Sequence, residues 1–210
     1  MSARTTVWWW VRHAPVPDMQ GILYGADDVP CDTSDGESYQ NLAAILPADA
    51  YWITSHLSRT HHTARAIREA GLDFPEPVIE AHLGEQNFGD WQGRRWSEME
   101  QLDPEIYNAF WQGPARNRPP NGESFEDQIK RTAAVIDRVT AERTGETIVA
   151  VAHGGTIRAA ISHALGLTPE AGMSFATDNL SMTCLEHVEG GLLRGKGEAW
   201  RVICINRPAK

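Results

Sequence analysis

The apolar positions of this chain form short continuous runs that alternate with stretches of helical spacing. The runs begin at Val7 and cover 51–54 and 147–152, and their β-branched, aromatic and small apolar residues predict buried strands. Apolar residues recur at helical spacing over 37–46 and over 58–70, where the serine at the start is expected to be the N-cap. This alternation predicts an α/β fold with a mostly parallel central sheet and helices on both of its faces.

Two segments depart from this alternation. Residues 76–145 contain scattered tryptophans, Pro-rich breaks and a long helix predicted over 123–143, so we expect a helical cap inserted over the sheet edge, with a plain surface excursion as the alternative. Near the end of the chain, 181–188 and 198–205 flank a Gly-Gly pair and predict a hairpin that forms an antiparallel edge. We expect residues 1–210 to form a single domain.

Three consecutive tryptophans, Trp8 to Trp10, lie in the first predicted strand. Successive side chains of a strand point to opposite faces of its sheet. The three rings are therefore expected to pack into the core on both sides of a central strand that helices cover.

Polar residues follow the first and the last of these predicted strands. Arg12 and His13 end the first, and a cation beside an imidazole suits an anionic ligand. His153 and Gly154 follow the last, where glycine lets the backbone approach a ligand and a helix start exposes N–H groups. Arg59 falls in the first turn of its predicted helix, a position that anions favour. Because ligands of open α/β sheets bind at the carboxyl ends of the strands, these groups mark a candidate anion site.

The composition narrows the class of partner and the compartment. The chain has 210 residues and a formal net charge of −9, which argues against sequence-independent binding to nucleic acid. Its cysteines, Cys31, Cys184 and Cys204, are odd in number and lack the spacing of metal ligands, so a reducing cytoplasmic location is expected. The apolar runs are too short to cross a membrane. A homodimer is left open.

Three histidines lie close together in sequence and raise the question of a metal site. His56, His61 and His62 surround the start of the helix predicted from residue 58. Imidazoles on the helix surface are sufficient to explain this spacing, so no metal and no cofactor are expected.

Four blocks of sequence, taken together, resemble the histidine phosphatase superfamily, also called the phosphoglycerate mutase-like superfamily. The first block is Arg12-His13, and the other three cover 55–59 (SHLSR), 83–93 (LGEQNFGDWQG) and 151–158 (VAHGGTIR). The resemblance extends from Val7 to about Arg158 and implies the α/β fold that the hydrophobic pattern predicts.

The resemblance also implies the role of each site residue. His13 would be the nucleophile that forms a phosphohistidine intermediate, and Glu85 would be the general acid that protonates the leaving oxygen. His153 would complete the catalytic set. The ligands implied for the phosphoryl group are Arg12, Arg59, His153 and the backbone amide of Gly154.

The sequence departs from the pattern of the superfamily at three positions near the first block. Ala14 replaces a glycine, Val16 replaces a hydroxyl residue, and Met19 stands about where many members carry asparagine. Valine cannot donate a hydrogen bond to phosphate. We therefore expect either a lower affinity for phosphate or a substitute donor elsewhere in the chain.

The block around Glu85 resembles the phosphatase branch of the superfamily, because the mutase branch has Arg-His-Tyr-Gly directly after the acid. The expected activity is metal-independent hydrolysis of a small phosphorylated metabolite, with α-ribazole-5′-phosphate and sugar phosphates as candidate substrates. Residues expected to contact the rest of the substrate are Tyr24, Asn87 and Ser124.

Two alternatives remain at this point. A phosphoglycerate mutase would need cations that retain a carboxylate-bearing intermediate. The candidates are Arg94, Arg95, Arg116 and Arg118. A non-catalytic phospho-ligand binder is the other alternative, and only Ala14 and Val16 suggest it.

Overall fold

A central mixed sheet and a smaller cap make up the computed structural model, which describes residues 4–17, 19, 21–193 and 199–210. The strands, in chain order, are β1 (Thr5–Arg12), β2 (Ile22–Leu23), β3 (Tyr51–Thr54), β4 (Val78–Ile79), β5 (Arg94–Arg95), β6 (Thr147–Ala152), β7 (Met182–Val188) and β8 (Trp200–Arg207). The helices, in chain order, are α1 (Gly36–Ile45), α2 (Ser58–Glu69), α3 (Trp96–Leu102), α4 (Pro104–Trp111), α5 (Phe125–Glu142), α6 (Gly154–Leu165) and α7 (Pro169–Gly172).

The large sheet has the strand order β4-β3-β6-β1-β7-β8. The first four strands of that order are parallel, whereas β7 and β8 are antiparallel to their neighbours. The predictions of a mostly parallel sheet and of an antiparallel edge are therefore confirmed. The predicted hairpin corresponds to β7 and β8, and Glu198, which that prediction included, lies outside the described residues.

The two faces of β1 contribute to two separate apolar cores. Trp8 and Trp10 pack under α5 and α6, and the Trp8 indole N–H donates to Thr140 Oγ1 at 3.0 Å. On the opposite face, Val11 is buried beneath α1 and α2, and Trp9 packs partly buried against the same core. The prediction that the tryptophans face both cores is confirmed, because β1 lies between two other strands and helices cover both faces.

The helix boundaries agree with the sequence pattern to within a few residues. The one clear error is Ser58, which is the first residue of α2 rather than its N-cap. Leu57 precedes it in an extended conformation, and Ser58 Oγ donates to Asp28 Oδ1 at 2.6 Å instead of capping the helix. Gly166 ends α6 at φ 60°, a left-handed conformation that glycine adopts without strain.

The segment that leaves the main sheet is shorter than the sequence pattern predicts. Between β4 and α5, the chain forms β5, α3 and α4, whose apolar side chains pack with β2 in a cluster of their own. Helix α5 does not belong to this cap: Val135, Ile136 and Val139 lie in the core under the large sheet. The prediction of a cap over 76–145 is therefore wrong at its end, because α5 packs on the sheet as α6 does. That residues 1–210 form a single domain stays a prediction.

Within the described part of the chain, the helices are too short or too polar to cross a bilayer. The longest is α5, of 18 residues, and it carries charged side chains along one side. Its buried face packs on the sheet, so it is an amphipathic helix of the α/β sandwich.

Ser124 caps α5, which generates a prediction about stability. Its Oγ accepts from the Asp127 N–H at 3.1 Å, and its own N–H donates to Asp127 Oδ2 at 3.0 Å. We expect Ser124→Ala to lower the free energy of unfolding by about 1 kcal/mol in urea denaturation, because the capping hydroxyl is lost. Ser58→Ala is the control and should cost less, since Ser58 makes only an exposed contact. An equal loss in both variants would contradict the capping role.

Candidate active site

Two histidines meet at the carboxyl edge of the sheet because their strands are parallel neighbours. Arg12 of β1 pairs with Ala152 of β6, and His13 and His153 each follow directly after these positions. The His13 N–H extends the ladder by donating to Ala152 O at 2.9 Å. The two imidazole rings are consequently 5.1 Å apart between centroids and tilted by 57°.

His13 is buried, with 1% of its surface exposed, and its ring orientation is fixed. Nδ1 lies 2.6 Å from Ala14 O, so it carries the hydrogen and donates to that carbonyl, which leaves the Nε2 lone pair free. Burial, followed by the positive charges of Arg59 and Arg12, lowers the pKa of His13 to about 3. The imidazole is therefore neutral at physiological pH.

His153 is fully buried and is held in the opposite tautomer. Its Nδ1 accepts from Arg59 Nε at 3.2 Å, so Nε2 carries the hydrogen and donates to Ser55 Oγ at 2.8 Å. Burial, with the nearby His13 and Arg59, holds the pKa of His153 well below its usual range. His153 is thus neutral, and both of its ring nitrogens are engaged by neighbouring side chains.

Arg59, in the first turn of α2, is fully buried beneath these rings. Its terminal nitrogens donate to the backbone carbonyls of Asp27 and Gly25, both at 2.7 Å. Tyr24 lies against its guanidinium at 5.4 Å, so the expected substrate contact is in fact packed on Arg59. Burial lowers the pKa of Arg59, and the carboxylate of Glu85 acts in the opposite direction.

Arg12 and Thr177 each carry a hydrogen-bond donor that has no acceptor in the described chain. Both donors lie beside Gly154. Arg12 Nη1 donates to Thr177 O at 2.5 Å, whereas Arg12 Nε and Thr177 Oγ1 are buried and have no partner among the described residues. Both atoms lie close to Gly154: a Cβ placed there would be 3.4 Å from the Arg12 nitrogen and 3.1 Å from the Thr177 hydroxyl. Buried donors of this kind point to a ligand with acceptor oxygens.

Glu85 lies at the start of α6, next to this cluster. Its Oε2 accepts from the Gly155 N–H at 3.2 Å, and its Oε1 accepts from Gln128 Nε2 and from the Gln86 N–H, both at 3.0 Å. Any side chain at Gly155 would collide with the carboxylate, since a Cβ there would be 2.3 Å from Glu85 Oε1. The carboxyl group is thus held by the positive end of a helix.

Sequence reasoning missed the residues that hold the Glu85 loop in place. Gln128 is fully buried on α5, and Thr156 Oγ1 donates to Leu83 O at 3.1 Å and Gly84 O at 2.9 Å. Arg131 donates to Glu85 O at 3.1 Å. One signal was available, because Gln128 is a polar residue on the otherwise apolar stripe of an amphipathic helix.

The other two predicted substrate contacts, Asn87 and Ser124, lie in different environments. Asn87 is exposed and lines a polar cavity of about 390 Å³ together with Glu85. Ser124 is buried, and its hydroxyl and N–H are both used in the cap of α5. Ser124 is therefore corrected from a substrate contact to a capping residue.

Of the four arginines that a mutase would need, Arg116 and Arg118 are paired with carboxylates. Arg116 pairs with Glu126 at 2.5 Å and Glu170 at 2.7 Å, and Arg118 pairs with Asp127 at 2.7 Å. Arg94 and Arg95 form strand β5 and are exposed, and Arg94 Nε donates to Asp90 O at 2.7 Å. These surface positions do not add cations to the cluster around His13.

The three neighbouring histidines do not converge. His61 Nδ1 lies 3.4 Å from Thr54 Oγ1, and His56 packs against Gly84. In the residues that the structure describes, no three His, Cys, Asp or Glu side chains are grouped so that they could hold a metal ion.

The chain belongs to the histidine phosphatase superfamily (branch 1), whose family model matches residues 8–194. It is 29% identical over 173 residues to an adenosylcobalamin/alpha-ribazole phosphatase from Escherichia coli, covering 81% of this chain and 84% of that protein. It is also 31% identical over 167 residues to a 2,3-bisphosphoglycerate-dependent phosphoglycerate mutase 2 from Gloeobacter violaceus, covering 76% of each.

A solved structure confirms the fold. The alpha-ribazole phosphatase from Shigella flexneri superposes with a TM-score of 0.80 at 24% identity, covering 95% of this chain and 96% of that chain. The family resemblance and the fold class predicted from the sequence are both confirmed. The superfamily and its phosphatase members make the chain a hydrolase.

The depressed pKa of His13 predicts how stability depends on pH. The folded protein keeps His13 neutral down to about pH 3, whereas a histidine in the unfolded chain binds a proton near pH 6.5. Unfolding therefore takes up a proton below pH 6.5, and this contribution makes the free energy of unfolding fall as the pH is lowered toward 3.

His13→Asn removes that contribution. Urea denaturation at pH 5.5 and pH 4.5 should show a pH dependence that is shallower in the variant than in the wild type by up to about 1.4 kcal/mol per pH unit. Parallel slopes in the two proteins would show that His13 titrates alike in the folded and unfolded states.

Proposed function

We propose that this protein is a metal-independent phosphomonoesterase that transfers the phosphoryl group of a small phosphorylated metabolite to His13 and then to water. One observation carries the proposal: two neutral imidazoles, two guanidiniums and one carboxyl group converge at a single sheet edge. These groups supply what phosphoryl transfer requires, namely a nucleophile, positive charge at the non-bridging oxygens and a proton for the leaving group.

In the first step, His13 Nε2 attacks phosphorus and the bond between phosphorus and the leaving oxygen breaks. The Nδ1–H bond to Ala14 O keeps the attacking nitrogen deprotonated and stabilises the positive charge that develops on the ring. Glu85, in its protonated form, gives its proton to the leaving alkoxide. The products of this step are phosphohistidine, the free alcohol and the Glu85 carboxylate.

In the second step, the Glu85 carboxylate takes a proton from water, and the water oxygen attacks phosphorus. The P–N bond breaks, its electron pair returns to His13 Nε2, and inorganic phosphate leaves with the protonation state of Glu85 restored. One carboxyl group serves as acid and then as base. Its contact with the Gly155 N–H holds it one residue from the proposed phosphate ligand Gly154.

The phosphoryl group would lie between Arg12, Arg59, His153 and the amide of Gly154. Guanidiniums supply the positive charge that a metal ion supplies in other phosphatases, and burial strengthens it. Among the described residues, Arg12 Nε is buried without a hydrogen-bond partner, which supports this placement. Thr177 Oγ1, which also lacks a partner among the described residues, is proposed as the substitute for the donors that Val16 and Met19 do not provide.

The name of the E. coli relative supports α-ribazole-5′-phosphate as a first candidate substrate, with sugar phosphates as others. Asn87 shares a cavity with Glu85, and its contact with the substrate stays a prediction. Hydrolysis is favoured over isomerisation because Arg116 and Arg118 are paired with carboxylates. A cytoplasmic location and a lack of nucleic-acid partners remain predictions, and the sequence leaves a homodimer open.

Phosphoenzyme trapping tests the mechanism. With p-nitrophenyl phosphate, Glu85→Gln should release p-nitrophenolate in a burst and then stall, because this leaving group needs no acid but dephosphorylation needs the base. With an alkyl phosphate, the same variant should be slower than wild type by roughly 10²- to 10⁴-fold. Intact-protein mass spectrometry should find one added phosphoryl group in Glu85→Gln and none in His13→Ala.

Two controls complete this test. Incubation with 3-phosphoglycerate and a trace of 2,3-bisphosphoglycerate should yield free phosphate. Formation of 2-phosphoglycerate without free phosphate would replace the phosphatase by a mutase, and turnover that persists in His13→Ala would remove His13 as the nucleophile.

Thr177→Val tests the substitute donor. A hydrogen bond to a charged group is worth about 1.5–3 kcal/mol, so the inhibition constant of inorganic phosphate should rise at least about tenfold in this variant. Thr132→Val is a matched control, because its hydroxyl is also buried and unpaired in the described chain but lies on α5. An unchanged inhibition constant in Thr177→Val would remove this residue from the phosphate site.

A further inference from the structure

A second cavity, of about 260 Å³, lies between the cap and the start of α6. Aromatic and apolar side chains form most of its wall: Phe88, Trp96, Phe110, Trp111, Phe125 and Met173. Gln86, Pro114, Gly155 and Arg158 complete the lining. The end formed by Gly155 and Arg158, where the Gly155 N–H binds Glu85, is called its inner end. We refer to this space as the aromatic cavity.

The aromatic cavity lies on the leaving-group side of the reacting centre. Gly155, which lines it, donates its N–H to Glu85 Oε2 at 3.2 Å. Under the proposed function, Glu85 protonates the leaving oxygen, so the leaving alcohol must depart from phosphorus toward that carboxyl group. The cavity therefore begins at Gly155, next to Glu85, and extends toward helices α3 and α4 of the cap.

Arg158 makes the inner end of the cavity polar. Its Nε donates to Phe175 O at 2.7 Å, and its terminal nitrogens have no acceptor in the described chain. Arg158 lies about one helical turn after Gly155 on α6, the residue whose N–H holds Glu85, and burial lowers the pKa of Arg158. A cation at the inner end and aromatic rings farther out suit a ligand whose ester end is polar and whose far end is apolar.

The aromatic wall is preformed and partly open to solvent. Trp111 packs against Trp96 at 5.8 Å and against Phe110 at 5.3 Å between centroids, which fixes its orientation. Trp111 nevertheless remains 43% exposed and Met173 41% exposed. Large apolar side chains grouped at the mouth of a cavity typically mark a binding site.

We infer that the aromatic cavity binds the leaving alcohol, and that the substrate is the phosphate ester of an alcohol bearing a planar aromatic group. The inference rests on the proposed function for the position of Glu85. The polar cavity that Glu85 itself lines, together with Asn87, Glu123 and Arg131, is the competing location for the alcohol. There Arg131 is already paired with Glu123 at 2.8 Å, so it provides no free cation for a ligand.

Two alkyl esters of matched leaving-group reactivity test this inference: naphthylethyl phosphate and butyl phosphate. We expect wild type to prefer the naphthylethyl ester in kcat/KM by at least about tenfold, the effect of one well-packed aromatic contact. Trp111→Ala should raise KM for the naphthylethyl ester about tenfold and leave butyl phosphate within about twofold. Ile106→Ala is the matched control on the same helix, since Ile106 is 41% exposed and lies outside the cavity.

Equal kcat/KM for the two esters in wild type, or an equal loss on both in Trp111→Ala, would overturn the inference while leaving the phosphatase intact. If neither ester is hydrolysed, it is the proposed function that fails. Calorimetric titration with naphthylethanol in the presence of inorganic phosphate then tests the cavity by itself. Binding to wild type that Trp111→Ala abolishes supports the cavity, and absence of binding to wild type rejects it.

Discussion

The register between β1 and β6 is the constraint on which the site depends. His13 and His153 come from positions far apart in the chain, and they meet only because Arg12 pairs with Ala152 in a parallel ladder. A slip of one residue would turn each side chain of the strand to the opposite face of the sheet. The tryptophans of β1 oppose such a slip, because Trp8 and Trp10 fill one core and Val11 the other. The same packing that stabilises the fold therefore aligns the two imidazoles.

The pocket concentrates positive charge on an otherwise acidic protein. Three buried or half-buried arginines donate to backbone carbonyls: Arg12 to Thr177 O, Arg59 to Gly25 O and Asp27 O, and Arg158 to Phe175 O. Carbonyl oxygens satisfy the hydrogen bonds of a guanidinium without neutralising its charge, so that charge remains available to an anion. The surface arginines differ in this respect, since Arg116 and Arg118 are paired with carboxylates. With a net charge of −9 over the whole chain, only such a local arrangement would attract a phosphate ester.

The sequence was informative wherever local pattern decides structure. Strand ends, the helix stop at Gly166 and the four blocks of the superfamily were all predictable from residues close together in the chain. Contacts between distant segments were not. Thr177 lies outside regular structure, and only the packing of that segment against Arg12 brings its hydroxyl to Gly154. The end of the cap was misjudged for a related reason, because the amphipathic pattern of α5 shows that one face is buried but not which core covers it.

Gly155 connects the chemistry of the site to its specificity. A side chain there would displace the Glu85 carboxylate, and the same residue forms part of the wall of the aromatic cavity. Under the proposed function, the sheet edge would fix the nucleophile and the phosphate ligands, the loop before the cap would carry the acid, and the cap would supply part of the surface for the leaving alcohol. Because these parts are held by different contacts, changes in the aromatic wall of the cap can alter which alcohol is accepted without moving His13 or its hydrogen bond to Ala14 O. The proposed catalytic centre and the proposed alcohol site are thus physically separable in this chain, with Glu85 at the boundary between them.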